Sequence, residues 1–174
     1  MTVAIRRLST VSDADVRGLA DVLIDIVEGG DSVGFMDGLG VERAEAFWRG
    51  IGDDAASGAR ALLVAEDEHG IVGTVHLVLA QPDNQPHRAD VSKMLVHRRA
   101  RRRGIGAALL AAAEQVAVES GRTLLVLDTA SADAERLYAR AGWVRCGRIP
   151  GFALMPDGAP CDTVLFYREL VAGG

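Results

Sequence analysis

The chain has 174 residues, of which 49% are hydrophobic and 25% charged, and its formal net charge is −5. This length suits one domain, residues 1–174, and is too short for two. The composition is that of a globular protein, and no apolar run is long enough to span a membrane. The negative charge argues against a protein that binds long nucleic acids.

The N-terminal segment MTVAIRRLSTVSDADV has no continuous apolar run after its charges. We therefore expect no signal peptide and a cytoplasmic location. Cys146 and Cys161 form neither a CxxC pair nor a metal-ligand cluster, so two free, half-buried thiols are expected. The four histidines are scattered, and we expect no metal site.

Apolar residues recur at helical spacing in four segments, and strand-like apolar runs occur in seven. In chain order, the predicted elements are a strand at 3–8, helices at 12–28 and 41–56, strands at 61–66, 71–80 and 88–96, a helix at 105–119, a strand at 122–129, a helix at 133–142, and strands at 143–154 and 161–170. This order predicts a mixed α/β sheet with helices packed against it. The apolar middle of 122–129 predicts a strand buried on both faces.

A glycine-rich loop, GGDSVGFMDGLG (29–40), separates the first two predicted helices. It contains an apolar pair, Phe35 and Met36. The loop either packs over a ligand or is merely anchored by these two side chains, and the residues alone leave both interpretations open.

The most informative segment is RRARRRGIGAALL (98–110), in which arginines and two glycines lie between a predicted strand and a predicted helix. A helix N-terminus has free N–H groups and a partial positive charge, so it can bind an anion. Gly104 and Gly106 would let phosphate oxygens approach the backbone. Charge-assisted hydrogen bonds would come from Arg101, Arg102 and Arg103. The pattern therefore indicates a pyrophosphate site.

Other sites could account for the same segment. A dinucleotide-binding turn requires GxGxxG, but Leu109 stands where the third glycine belongs, and Asp128 lies late for the acidic partner. A P-loop requires Gly-Lys-Ser/Thr, which the chain lacks. A nucleic-acid patch and a solvated arginine cluster stay open, although no aromatic residues are interleaved with the arginines.

Two segments resemble motifs of the GNAT superfamily of N-acetyltransferases. KMLVHRRARRRGIGAALL (93–110) resembles its strand, Arg/Gln-x-x-Gly-x-Gly/Ala loop and helix, and LLVLDT followed by AERLYARAGW (134–143) resembles its second motif. The order of elements matches over essentially the whole chain. The resemblance implies acetyl-CoA as co-substrate and the GNAT fold, a single mixed, mostly antiparallel sheet splayed at its centre with helices on both faces.

The resemblance also assigns residues to the coenzyme: Met94, Leu95, Val96, Arg101, Arg102, Arg103, Gly104, Ile105, Gly106 and Ala107. Pantetheine is similar to a short peptide and can pair with a strand edge where a sheet splays. The backbone at 94–96 would offer that edge, and one of its N–H groups could polarise the thioester carbonyl.

Within the superfamily, GGDSVGFM (29–36), RADVSKMLV (88–96), LLVLDT and the segment 148–170 resemble the tabtoxin-resistance acetyltransferases. Those enzymes acetylate the amine of a β-lactam-containing amino acid. This chain has Asp90 where they have glutamate, and its loop before Tyr138 is one residue shorter. Both departures lie near the predicted acceptor site, so the acceptor is not carried over.

Three residues are candidates for the chemistry. Tyr138 matches the tyrosine that protonates the departing thiolate in the family, with a plain core tyrosine as the alternative. Asp90 and Asp128 should lie on neighbouring strands, where either could attract a cationic amine and pass its proton to solvent. Asp90 could equally form a structural pair with Arg88. The predicted acceptor-binding residues are Phe35, Met36, Asp90 and Asp128.

These features predict an enzyme that moves acetyl from acetyl-CoA to the primary amine of a small molecule by direct attack in a ternary complex. A role in toxin or antibiotic resistance follows from the narrower resemblance. A non-catalytic acyl-CoA sensor and a peptide or protein acetyltransferase are the alternatives. We expect no metal, nucleic acid or membrane partner, and the sequence leaves a homodimer open.

Overall fold

The computed structural model describes residues 2–171, in which the predicted order of seven strands and four α-helices is found. The strands are β1 (Ala4–Leu8), β2 (Arg60–Asp67), β3 (Gly70–Val78), β4 (Arg88–Val96), β5 (Leu124–Thr129), β6 (Val144–Leu154) and β7 (Pro160–Glu169). The helices are α1 (Asp13–Glu28), α2 (Val41–Ser57), α3 (Ile105–Glu119) and α4 (Ala132–Arg140), with a short 3₁₀ turn at Arg98–Ala100. Residue 1 and residues 172–174 of the predicted domain lie outside the described part.

The seven strands form one sheet in the order β1-β2-β3-β4-β5-β7-β6. Neighbouring strands are antiparallel except β4 and β5, which are parallel. Pairing between β4 and β5 is limited to Arg88–Leu124, Ala89–Leu125 and Asp90–Val126. Beyond Asp90 the two strands separate and leave a gap, which we call the β4–β5 gap. The predicted mixed, mostly antiparallel and centrally splayed sheet is confirmed.

Helices cover both faces of the sheet, as predicted. On one face, α1 and α2 bury side chains such as Leu19, Leu23 and Trp48. On the other face, α3 packs Leu109 and its neighbours into a core that runs across β3, β4, β5 and β7. This second core joins the two halves of the sheet next to the gap. None of the helices within residues 2–171 is long and apolar enough to cross a membrane.

Local sequence signals account for where α1 begins and ends. The Ser12 hydroxyl accepts a hydrogen bond from the Asp15 N–H at 3.1 Å, and the Asp15 carboxylate accepts one from the Ser12 N–H at 2.9 Å. Such a reciprocal cap contributes about 1 kcal/mol. Gly29 ends the helix, and Gly30 follows at a φ of 86°. This stop starts the glycine-rich loop 29–40.

Two expectations from the sequence need correction. The strand predicted from residue 122 begins at Leu124 and is buried on one face only, because Leu125 and Leu127 are buried whereas Asp128 is exposed. On its second face, α1 and α2 pack mainly against β2, β3 and β4 and leave Asp128 uncovered. Both cysteines are free, but Cys146 is exposed rather than half-buried, since it lies on β6 at the edge of the sheet.

Candidate active site

A β-bulge lies in β4 beyond its last pair with β5. Thr74 of β3 pairs with Leu95 and His76 pairs with Ser92, so β4 has one residue more than β3 between these pairs. Lys93, inside the bulge, has a left-handed φ of 50°. Because a bulge bends and twists its strand, it accounts for the separation of β4 from β5.

The N-terminus of α3 follows the end of β4. Gly104 caps it with a left-handed φ of 75° and no side-chain hydrogen bond, and nothing lies within 4 Å of the position of a Cβ atom there. The Ala108 N–H donates to the Gly104 carbonyl at 3.1 Å. The N–H groups of Ile105, Gly106 and Ala107 therefore have no partner within the helix. This terminus is open and suited to an anion.

Gly106 lies close to the helix that carries Tyr138. A Cβ atom at Gly106 would lie 3.2 Å from Leu137 Cδ2 of α4 and 4.0 Å from Val96 Cγ2 at the end of β4. The α3 N-terminus is thus flanked by β4 and α4. The anion site and the β4–β5 gap are neighbours.

Most arginines of the 98–103 run are bound to carboxylates. The nitrogen–oxygen distances are 2.9 Å for Arg98–Asp25, 3.5 Å for Arg99–Asp67, 2.6 Å for Arg101–Asp31 and 3.0 Å for Arg103–Asp67. Arg102 is exposed and has no ion pair within residues 2–171. Among the arginines predicted to bind phosphate, Arg102 is therefore free, whereas Arg101 and Arg103 already have partners.

Tyr138 lies on α4 and is only 4% exposed. Its ring packs against Trp143 and Phe166, with centroid distances of 5.8 and 5.7 Å. Burial raises the pKa of the Tyr138 hydroxyl well above its ordinary value, and the nearby Asp128 carboxylate raises it further. The phenol therefore keeps its proton throughout the physiological range.

Asp128 lies near the C-terminal end of β5, where the strand borders the gap. Its Oδ2 accepts a hydrogen bond from Thr163 Oγ1 at 2.7 Å, and Thr163 is only 2% exposed. The other carboxylate oxygen has no hydrogen-bond partner in the described chain. Thr163 therefore fixes the Asp128 carboxylate while leaving one oxygen available. The sequence offered no signal for Thr163, because its role depends on β7 lying beside β5.

Asp90 forms the last pair between β4 and β5, with Val126, where the strands are still hydrogen-bonded. Its carboxylate accepts hydrogen bonds from the Arg88 guanidinium and from Gln81 Nε2, the latter at 3.0 Å. Arg88 also donates to Gln81 Oε1 at 2.6 Å. Asp90 thus forms the structural pair with Arg88. The carboxylate that lies close to Tyr138 is Asp128 rather than Asp90.

The glycine-rich loop places Phe35 against α2. The Phe35 and Phe47 rings meet edge to face at 5.2 Å, and the Arg43 guanidinium lies 5.7 Å from the Phe35 centroid. Met36, by contrast, is 45% exposed. Of the two predicted acceptor-binding residues in this loop, only Phe35 is packed at the site.

Lys93, which the sequence analysis did not single out, lies in β4 beside the β4–β5 gap. Its Nζ lies 5.8 Å from the Phe47 centroid and 3.5 Å from the Cβ position of Gly34. Burial lowers the pKa of Lys93, Asp128 opposes this change, and Arg60 adds to it. A signal was available, because Lys93 is the only lysine among the 19 lysines and arginines and lies in a largely apolar strand. In the described chain, no group of three or more His, Cys, Asp or Glu is placed to hold a metal ion.

A parallel strand pair that splays beside an anion-binding helix N-terminus defines the acetyltransferase class. The family model "Acetyltransferase (GNAT) domain" matches residues 58–145. An uncharacterized N-acetyltransferase from Azospirillum brasilense is 30% identical over 128 residues, which cover 72% of this chain and 74% of that protein. The chain belongs to the GNAT acetyltransferase family. This confirms the predicted enzyme class, an N-acetyltransferase.

Solved structures share the whole fold. A Salmonella typhimurium acetyltransferase with acetyl-CoA is 17% identical, with a TM-score of 0.80 and coverage of 100% of this chain and 97% of that one. A Sinorhizobium meliloti phosphinothricin acetyltransferase in complex with acetyl-CoA is 21% identical, with a TM-score of 0.79 and coverage of 99% and 91%. A Brucella melitensis ribosomal-protein-alanine N-acetyltransferase is 24% identical, with a TM-score of 0.78 and coverage of 96% and 99%. At these identities the likeness shows the fold alone.

Proposed function

We propose that the α3 N-terminus and the β4–β5 gap hold acetyl-CoA. The three free N–H groups of Ile105, Gly106 and Ala107, the open space at Gly104 and the unpaired Arg102 fit a diphosphate. The edge of β4 at 94–96 no longer pairs with β5, so its backbone is free for the pantetheine arm. These contacts would place the thioester beside α4.

The acceptor in this proposal is the primary amine of a small molecule, bound on the α2 side of the gap. The loop 29–40 supports a small acceptor, because it is tied to the β6–β7 hairpin. Ser32 Oγ donates to the Leu154 carbonyl at 2.9 Å, and the Asp37 N–H donates to the Pro156 carbonyl at 3.0 Å. A loop closed in this way limits the length of acceptor that can enter.

The observation that carries the proposal is a buried, protonated Tyr138 beside the Asp128 carboxylate near the gap. Bound acetyl-CoA supplies an acetyl group activated as a thioester. Asp128 accepts the proton that the acceptor amine must lose and passes it to solvent. Tyr138 would give its hydroxyl proton to the sulfur as the carbon–sulfur bond breaks and the carbon–nitrogen bond forms. The second proton that the nitrogen loses would return to the Tyr138 oxygen by way of solvent.

The narrower resemblance to tabtoxin-resistance enzymes stays a hypothesis, as do a resistance role and a homodimer. A phosphinothricin acetyltransferase among the structural neighbours is related only through the fold. The acceptor panel in the experiment should therefore include the β-lactam amino acid without being limited to it.

The test is thiol release from acetyl-CoA against amino-acid analogues, polyamines, aminoglycosides and short peptides. We expect acceptor-dependent release of thiol. In Tyr138→Phe we expect kcat to fall by a factor of at least about 100, because proton transfer by a positioned side chain contributes about 10²- to 10⁴-fold. The phenylalanine ring would keep the packing against Trp143 and Phe166. Tyr167→Phe, which changes the other tyrosine of the chain, is the matched control and should retain activity. Full activity of Tyr138→Phe would contradict the proposal.

A further inference from the structure

We infer that the acceptor carries an anionic group as well as its amine, and that Lys93 binds this group. The inference rests on the proposed function, since it concerns the same acceptor. It defines the substrate class as zwitterionic, amino-acid-like compounds. Polyamines and aminoglycosides, which are polycations, are thereby excluded.

The first support is the position of two opposite charges on one face of the sheet. Leu127 belongs to the core under α3, so Asp128, the next residue in the strand, points to the opposite face, where α1 and α2 lie. Lys93 lies on that same face, because its ammonium group is close to Phe47 of α2. The strands that carry Lys93 and Asp128 are the two that separate at the gap.

The second support is that Lys93 is half-buried without a carboxylate partner. Within residues 2–171, no ion pair within 4.0 Å joins Lys93 to Asp128 or to any other acid. An ammonium that loses water without gaining a partner is costly, and the lowered pKa of Lys93 is the consequence. An anionic group of a bound acceptor would supply the missing partner, while Asp128 stays available for the amine.

The third support is an excess of hydrogen-bond donors between α2 and β3, close to Lys93. Arginine can only donate, so the 3.2 Å contact of Arg60 makes His76 Nδ1 an acceptor. Burial lowers the pKa of His76 to about 3, so the ring is neutral and carries its proton on Nε2. This Nε2 and Trp48 Nε1 are both buried without a partner. Both donors are shut off from solvent, so they add positive potential around Lys93 without contacting the acceptor, and this potential favours an anion over a cation.

The choice of lysine fits this role. Every other side chain among the 19 lysines and arginines is an arginine. A lysine ammonium is compact and has three donors that rotate, so it can bind an acid group in more than one orientation. Phe35 and Phe47 beside Lys93 supply apolar surface for the rest of the acceptor.

A binding experiment tests the inference without turnover. Because the chain has one lysine, protein grown with lysine labelled with ¹³C at Cε gives a single lysine Cε signal, that of Lys93. Two probes are compared at equal pH and ionic strength, an equimolar pool of the protein amino acids and the matched pool of amino-acid amides. We expect a saturable shift with the acids and none with the amides. An unchanged signal with the acids, or equal shifts with both pools, would overturn the inference.

A turnover experiment uses the same two pools with acetyl-CoA and counts acetylated products by mass spectrometry. We expect wild-type enzyme to prefer the acids at least about tenfold, the effect of one charge-assisted hydrogen bond, and Lys93→Met to lose that preference. Lys93→Arg keeps the charge and should retain part of it. Amides have the less basic amines, so their intrinsic reactivity opposes the expected preference, and comparison of variant with wild type removes this bias.

The outcomes separate the inference from the proposed function. Acetylation of both pools at equal rates, unchanged by Lys93→Met, would overturn the role of Lys93 and leave the acetyltransferase proposal standing. A shift of the Lys93 signal with acids but no acetylation of either pool would support the anion site and contradict the small-molecule acetyltransferase. Melting curves of Lys93→Met and Lys93→Arg verify that both variants are folded.

Discussion

The carboxylate of Asp128 combines a fixed position with an open oxygen, which is the arrangement that proton removal requires. In Asp128→Asn the amide oxygen can still accept the hydrogen bond from Thr163, so the strand contacts are kept. We expect kcat/KM to fall about 100-fold, because the base is lost. Steady-state kinetics of wild type and variant with the same acceptor measure this loss.

Asp90→Asn is the matched comparison, since it changes the neighbouring carboxylate in the same way. Its side chain is 39% exposed and paired with Arg88, so we expect a loss of unfolding free energy below about 1 kcal/mol and an unchanged kcat/KM. If Asp90→Asn lowered kcat/KM about 100-fold and Asp128→Asn did not, the assignment of the two carboxylates would be reversed.

His76 makes the stability of the fold depend on pH. Burial lowers its pKa from 6.5 to about 3, and Arg60 and Lys93 contribute to that shift. Below pH 6.5 the unfolded chain binds a proton at this histidine and the folded chain does not, so stability falls as the pH falls towards 3. We expect a loss of up to about 1.4 kcal/mol for each pH unit in this window.

Urea unfolding of wild type and His76→Gln at pH 7, 6, 5 and 4 measures this effect. The glutamine variant has no ring to protonate. Its unfolding free energy should therefore depend less steeply on pH than that of the wild type, by an amount that corresponds to up to one proton. Equal slopes would mean that His76 is not the group responsible.

At the scale of the element, we expect the arginines of the loop before α3 to serve two purposes, coenzyme binding and stability of the fold. Arg103 is bound to the buried Asp67, whereas Arg102 has no ion pair within the described chain. We expect Arg102→Met to raise the KM for acetyl-CoA about tenfold, the effect of one charge-assisted hydrogen bond, with an unchanged melting temperature. Arg103→Met should instead lower the melting temperature.

Steady-state kinetics and thermal unfolding of the two variants form an internal control, because both replace an arginine of the same loop by methionine. A larger rise in KM for Arg103→Met than for Arg102→Met would contradict the roles given to these two arginines. The result would then favour a loop that rearranges when acetyl-CoA binds.

Much of the fold could be predicted at this scale, because glycines and caps mark the ends of the elements. Ser12, Gly29 and Gly121 are local signals, and the structure uses all three at or next to helix ends. The splayed sheet and the enzyme class followed from two motifs and are confirmed by the family match.

What could not be predicted depends on residues far apart in the sequence. The ion pairs Arg101–Asp31 and Arg103–Asp67 join the loop before α3 to segments that periodicity alone does not place beside it. The bulge at Lys93 is visible only once β3 and β4 are paired. Lys93 was therefore missed even though its residue type is unique in the chain.

At the scale of the whole molecule, the two halves of the sheet share only three residue pairs between β4 and β5. A ligand that fills the gap would join these halves, so acetyl-CoA should stabilise the entire domain. At a concentration 100 times its Kd, we expect the unfolding free energy to rise by about 2.7 kcal/mol. The melting temperature should rise by about 5 to 10 °C.

Thermal unfolding with and without acetyl-CoA measures this change, and hydrogen exchange shows where the protection lies. Amides of β4, of β5 and of the α3 N-terminus should gain the most protection. Desulfo analogues that keep the diphosphate serve as the control for the thioester. Protection confined to another part of the sheet would contradict the proposed position of the coenzyme.

The ion pair between Arg101 and Asp31 has a consequence for the order of binding. It joins the loop before α3 to the glycine-rich loop 29–40, which carries Phe35. The loop 29–40 is also hydrogen-bonded to the β6–β7 hairpin. If acetyl-CoA draws Arg101 away from Asp31, the affinity for one substrate depends on the presence of the other. Thermodynamic reciprocity then requires the acceptor to change the affinity for acetyl-CoA by the same factor. Each substrate would thus change the affinity for the other through a single salt bridge, without any movement of the sheet.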